Sequence, residues 1–154
     1  MWQRLVKDRA TRLAASSKSV TVASRRLELA LLQERFAVCR LAPDAAIPSW
    51  ATGGSFCSIT RTAEELSVVV EEARVPDGVT SQPGWRGFQV QGPFAFSEIG
   101  VLASLTEPLA AREISLFAIS TFDTDYLLVS EKKLAAAIAA LEHAGHTIHR
   151  SHGQ

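Results

Sequence analysis

Residues 113–131, EISLFAISTFDTDYLLVSE, leave this chain few choices of fold. Ile114, Leu116 and Ala118 alternate with Ser115, Phe117 and Ile119, so both faces of a strand carry apolar side chains, as a central strand covered on both sides should. Tyr126 to Val129 then runs back as a second strand. Between the two, Thr121, Phe122, Asp123, Thr124 and Asp125 place two hydroxyls and two carboxylates in one short hairpin loop. Ordinary turn chemistry requires only part of that polarity.

Helical patterns flank the hairpin. Upstream, Ser97 is expected to cap a helix with Ile99, Leu102, Leu105 and Leu109 as its apolar stripe, and Pro108 should end or kink it near Glu107. Downstream, Ser130 is expected to cap a second helix, with Glu131 in its first turn, Leu134, Ile138 and Leu141 as its stripe and Gly145 closing its end. Strands at 87–91, before the first helix, and 147–149, after the second, complete the order β-α-β-β-α-β, a ferredoxin-like arrangement.

The preceding segment is strand-rich. Leu27, Leu29 and Leu31 alternate with Glu28 and Ala30 up to a break at Glu34 and Arg35, and residues 36–41 follow as another strand. Pro43, Asp44 and Pro48 leave room for one helical turn, and Gly53 and Gly54 turn the chain. Residues 56–61 and 66–71 read as strands joined by a tight turn at 62–65. Pro76, Asp77, Gly78, Pro83 and Gly84 mark residues 72–86 as a connection between lobes. A first lobe with so little helix leaves its sheet uncovered unless the second packs on it, so one cooperative unit is expected.

Four strings carry a family resemblance. GPFAFSEIGVLASLTEPLA (92–110) and ISLFAISTFDTDYLLV (114–129) resemble the second domain of small bacterial tandem ACT-domain proteins, and FAVCRL (36–41) and FCSITRTAEELSVVV (56–70) resemble the first. The family is related to the ACT domains of the cytosolic arginine sensor and of aspartokinases. The resemblance spans roughly residues 27–149. It implies an α+β protein of two ferredoxin-like ACT lobes, the first (27–84) reduced and strand-rich and the second (85–149) complete, with a basic arm at 1–26 and a short tail at 150–154. Family members place glycine just before the strand that follows the first helix. This chain has Glu113 there, which is poorly suited to a left-handed helix cap.

Composition removes several function classes. The 154 residues are 47% hydrophobic with a formal net charge of zero, and the whole carries no nucleic-acid footprint. Charge is uneven, however: residues 1–26 hold seven Lys or Arg against Asp8 alone. That arm reads as an appendage to the fold rather than a transit peptide. No run of eighteen apolar residues suggests a membrane span, and two isolated cysteines give neither a disulfide framework nor metal spacing, so a cytoplasmic location is expected. His143, His146, His149 and His152 recur every third residue but fall on different elements, and read as a solvated terminus rather than a zinc site. Cys39 and Cys57 read as buried strand residues, and Trp50 and Trp85 as packing anchors.

The candidate site joins the start of the first helix, at Ser97 and Glu98, to the hairpin with Asp123 and Asp125. Helix-start amides suit a carboxylate and nearby acids suit an ammonium or guanidinium, and an amino acid carries both charges. The resemblance implies a ligand between two ACT domains, contacted at Phe96, Glu98, Leu102, Thr121, Phe122 and Asp125, with a facing domain, from another subunit, contributing Ser115 and Leu116. It implies a non-catalytic regulatory protein that needs no cofactor, forms a homodimer, binds a small-molecule amino acid and acts on a regulated enzyme such as an aspartokinase. Two alternatives stay open: an assembly scaffold whose loop holds no ligand, and an enzyme using Cys39 or Cys57 with a histidine.

Overall fold

The computed structural model describes residues 25–95 and 97–150. The expectations for residues 1–24, Phe96 and residues 151–154, with His152, lie outside that range. Strands β1 (Glu28–Leu41), β2 (Cys57–Arg61), β3 (Leu66–Glu71), β4 (Ser81–Val90), β5 (Leu116–Ser120), β6 (Asp125–Ser130) and β7 (Thr147–Arg150) form one sheet in the order β2-β3-β1-β4-β6-β5, with β7 also beside β1. Among the described residues only the β1–β7 pair is parallel. Helix α1 (Val101–Ala110) connects β4 to β5, and α2 (Leu134–His143) connects β6 to β7. The protein is α+β.

The two strands expected at 27–31 and 36–41 are one strand. Glu34 and Arg35 do not end β1; its register against β4 shifts between Leu31 and Arg35 and again between Phe36 and Val38. A bulge absorbs the surplus residues and lets the strand bend without stopping. On one side β1 pairs with β7 through residues 28–31 and with β3 through residues 36–41, while β4 lies along the other side. The expected 72–86 connection is correspondingly shorter, because Ser81 to Arg86 already belongs to β4. Pro83 and Gly84, the latter at φ 79°, sit where the register shifts. A residue without an N–H and one at positive φ are at home in a bulge as well as in a turn.

A second correction concerns β5. It lies at the end of the sheet order with β6 as its neighbour, and Phe117 and Ala118 are exposed, so it is an edge strand rather than a central one. Apolar residues on both faces did not distinguish the two, because that pattern does not depend on whether the strand has one neighbour or two.

Helices α1 and α2 cover one face. Leu29, Phe88, Val90, Leu127 and Val129 meet Val101, Leu105 and Leu109 from α1 and Ala137, Ile138 and Leu141 from α2. Phe36, Val69 and Leu128 cluster on the opposite face with Phe56 and Trp85, and Trp50 packs in a third cluster around Ala37, Leu66 and Val68. The Phe56 ring, just before β2, lies 4.4 Å from that of Tyr126 on β6 and 5.8 Å, edge-on, from that of Phe36. Strands distant in the sheet order meet there because the sheet is curled.

The helix ends show where local chemistry was overruled. Gly145, at φ 95°, closes α2 as expected: its N–H reaches the Glu142 carbonyl and that of His146 reaches Leu141, the paired bonds of a Schellman cap. The same pair closes α1, Glu113 N–H to Ala110 and Ile114 N–H to Leu109, each 3.0 Å, with Glu113 itself at φ 54°. The cap forms without glycine. Because an L-residue pays roughly 1–2 kcal/mol for that conformation, Glu113→Gly is expected to stabilise the fold by about 1 kcal/mol after its greater unfolded-state entropy, readable as a higher urea midpoint.

Pro108 does not end α1, which runs on to Ala110. A proline N–H is missing, so the Ser104 carbonyl one turn earlier loses its helical partner. His146 supplies the replacement: its Nε2 lies 3.0 Å from that carbonyl, and its Nδ1 accepts the Leu27 N–H at 3.2 Å. The two bonds require the neutral ring with its proton on Nε2. His146 is 5% exposed, so this member of the histidine series is an interior bridge and not part of a solvated terminus.

Candidate functional site

Antiparallel pairing of β4 with β6 brings the exit of β4 and the entry to β6 to one end of the sheet. The segment leading to α1 and the 121–124 hairpin are therefore neighbours, and backbone chemistry ties them together. Phe94 N–H donates to the Asp123 carbonyl at 2.9 Å, and Thr124 Oγ1 donates to the Val90 carbonyl. Within the loop, Thr121 N–H and Oγ1 both donate to the Thr124 carbonyl, and Thr124 N–H returns a bond to Thr121 Oγ1. Much of the hairpin's polarity is spent on its own shape.

Gly92 sets the spacing of the two segments. A Cβ there would stand 2.8 Å from the Asp123 carbonyl oxygen, a backbone atom that cannot rotate away. Gly92→Ala is expected to force the hairpin off the β4 exit and cost about 1–3 kcal/mol, seen as a lowered unfolding midpoint together with shifted amide resonances at 121–125.

Between the segments lies an open cavity of about 390 Å³. Glu98 and Leu102 line it from the helix side, and Thr121, Phe122, Asp123 and Asp125 from the hairpin. The structure thus brings together six of the residues singled out from sequence. Ser97 is exposed and outside the lining, and Gly100, at φ 85°, takes the N-cap position instead. Ile99 then precedes the helix and is 91% exposed rather than part of its stripe. Ser115 is exposed and Leu116 packs at the margin of the helix-side core, both away from this cavity. Sequence reasoning missed Phe94, Ala95, Gly100, Val101, Ala103 and Ser120. The signal that could have found them is the Gly92–Pro93 pair, which turns the chain back over the hairpin.

Charge in the cavity is one-sided. Glu98, Asp123 and Asp125 line it, and no Lys or Arg does among the described residues. Asp125 Oδ1 accepts from Ser120 Oγ at 2.5 Å. Glu98 Oε1 accepts the Ala95 N–H at 3.2 Å, and Oε2 pairs with Arg25, whose guanidinium lies 5.5 Å from the centre of the Phe94 ring. The amides of Val101, Leu102 and Ala103, three more lining residues, precede the first helical bond, which Ser104 donates to Gly100. The cavity lining therefore includes helix-start donors together with carboxylates from both the helix side and the hairpin.

The cysteine alternative finds little support. Burial pushes the Cys39 thiol up, opposite to what a nucleophile needs. Cys57, expected to be buried, is exposed on β2. Among the described residues no three His, Cys, Asp or Glu gather to hold a metal ion, and no helix is long and apolar enough to cross a membrane.

The model of the ACT domain matches residues 80–143, the segment that holds the cavity, and a second model, of an N-terminal domain, matches residues 34–78. Human cytosolic arginine sensor for mTORC1 subunit 1 is 40% identical over 67 residues, which is 42% of this chain and 20% of the sensor. The match thus spans a fifth of the length of that relative. The regulatory subunit of aspartate kinase from Thermus thermophilus shares the fold, at 12% identity and TM-score 0.55, over 75% of this chain and 95% of that one. A protein of Agobacterium tumefaciens superposes with TM-score 0.80 at 43% identity, over 84% of this chain and 97% of its own. Likeness at that level over nearly a whole relative, with the ACT match lying on the cavity-bearing strands and helices, makes this chain a member of the ACT-domain family.

Proposed function

We propose that the cavity between α1 and the 121–124 hairpin binds a free amino acid with a cationic side chain, and that binding regulates a partner protein. The observation that carries this reading is that the helix-start residues Val101 to Ala103 and the carboxylates Asp123 and Asp125 line one cavity, which no basic side chain lines among the described residues. The amides suit an α-carboxylate, and the acids suit an ammonium or guanidinium. An arginine sensor and an aspartate kinase regulatory subunit among the similar proteins support the same role.

In this reading the chain is two ACT lobes, residues 27–84 and 85–149, and the open side of the cavity is closed by a second copy. The open edge of β5, with Phe117 36% exposed, favours such pairing, which would present Ser115 and Leu116 to the facing site. Ligand then shifts the population toward the docked pair by its differential affinity, and a cytoplasmic enzyme reads the change. The same edge favours a scaffold without ligand as the second reading.

Thermal unfolding of the purified chain against each standard amino acid decides between them. At a hundredfold excess over its dissociation constant a ligand adds about 2.7 kcal/mol, so arginine or lysine should raise the midpoint by several degrees. Asp125→Ala should abolish that shift. A midpoint unmoved by any amino acid, with a dimer by size-exclusion chromatography, would leave the scaffold.

A further inference from the structure

The last charged residue of the basic arm but one reaches the cavity from outside. Arg25 is not part of the cavity lining, yet it pairs with Glu98 Oε2 and lies over Phe94, and both of those residues are lining residues. Glu98 Oε2 is closed to solvent and has no hydrogen-bond partner among the described residues, so this ion pair is what compensates its charge. A guanidinium on a carboxylate and an aromatic face is also the contact set that a basic ligand side chain would seek.

We propose that Arg25 ties up the Glu98 carboxylate from outside the cavity: it holds Glu98 in place and competes with the cation of a ligand for the same carboxylate. The regulatory half of this inference rests on the cavity being an amino-acid site. Geometry makes Arg25 displaceable. The Arg25 side chain remains 38% exposed, so water can take up the guanidinium when it leaves Glu98. Arg25 seated on Glu98 nine-tenths of the time lowers apparent ligand affinity about tenfold, because only the vacant fraction binds.

Two measurements on the full chain test it. Hydrogen exchange of the amides of Ala95 and residues 97–103 reports the contact with no ligand present: Arg25→Ala should speed exchange there about tenfold, and the swap Arg25→Glu with Glu98→Arg should return it toward the wild-type rate. Equal exchange in wild type and Arg25→Ala would overturn the contact. Titration with arginine and with lysine reports the competition: Arg25→Ala should bind about tenfold more tightly. Binding that is unchanged or weaker in Arg25→Ala would overturn the competition. If neither protein binds any amino acid while exchange responds, the contact stands and the amino-acid reading of the cavity falls.

Discussion

His146→Leu is expected to destabilise the protein by about 2–5 kcal/mol, although leucine is of similar volume. The loss comes from two groups on other elements. Without the ring, the Leu27 N–H and the Ser104 carbonyl both lose their buried partners, and each such group costs roughly 1–3 kcal/mol. Ser104 needs that partner only because Pro108 has no N–H to give. Pro108→Ala restores the donor, so the same histidine substitution made in that background should cost about 1–3 kcal/mol less. A double-mutant cycle by urea unfolding reads the difference directly. Strict additivity of the two substitutions would show that the histidine and the proline are not partners.

Phe36→Ala is the other large effect, at about 3–5 kcal/mol. Phe36 is fully buried, and its cluster takes Val69 from β3, Leu128 from β6 and the edge-on Phe56 ring. Those neighbours belong to the matched regions on either side of residue 80. Removing the ring should therefore lower the stability of both halves together. Unfolding followed by tryptophan fluorescence and by far-ultraviolet circular dichroism should stay a single coincident transition with an earlier midpoint. Trp50 and Trp85 lie in different clusters, so a half that came apart alone would separate the two signals.

What could be read from sequence was what local pattern encodes. The Leu66 to Glu71 run, the Tyr126 to Val129 return strand and the Gly145 cap all stand where their residues point, because β-branched alternation and a glycine at positive φ act over a few positions. The cavity's two walls were legible for a related reason: the acids were in the loop and the helix pattern was adjacent. The misreadings share a cause in long-range pairing. Pro83–Gly84 has the composition of a turn and serves as a bulge only because β1 runs alongside. Pro108 breaks a helix unless a histidine 38 positions later satisfies the carbonyl it orphans. Edge and centre cannot be told apart on β5 until its neighbours are known. Arg25 lies outside the resemblance altogether, so its contact with Glu98 had no sequence signal.

Strand β1 has a practical consequence for anyone who would cut this protein at its sequence-family borders. The segment recognised as an ACT domain, residues 80–143, contains neither β1 nor β7, yet β1 lies against β4 and shields one of its sides. Excised, that segment would bare the backbone of β4 and lose Leu27 and Leu29 from beneath its helices. The exposed strand would be sticky toward other copies and the remnant prone to precipitate. A piece that keeps β1 and β7 with the segment between them runs from residue 27 through residue 150, so sequence borders and folding borders do not coincide in this chain.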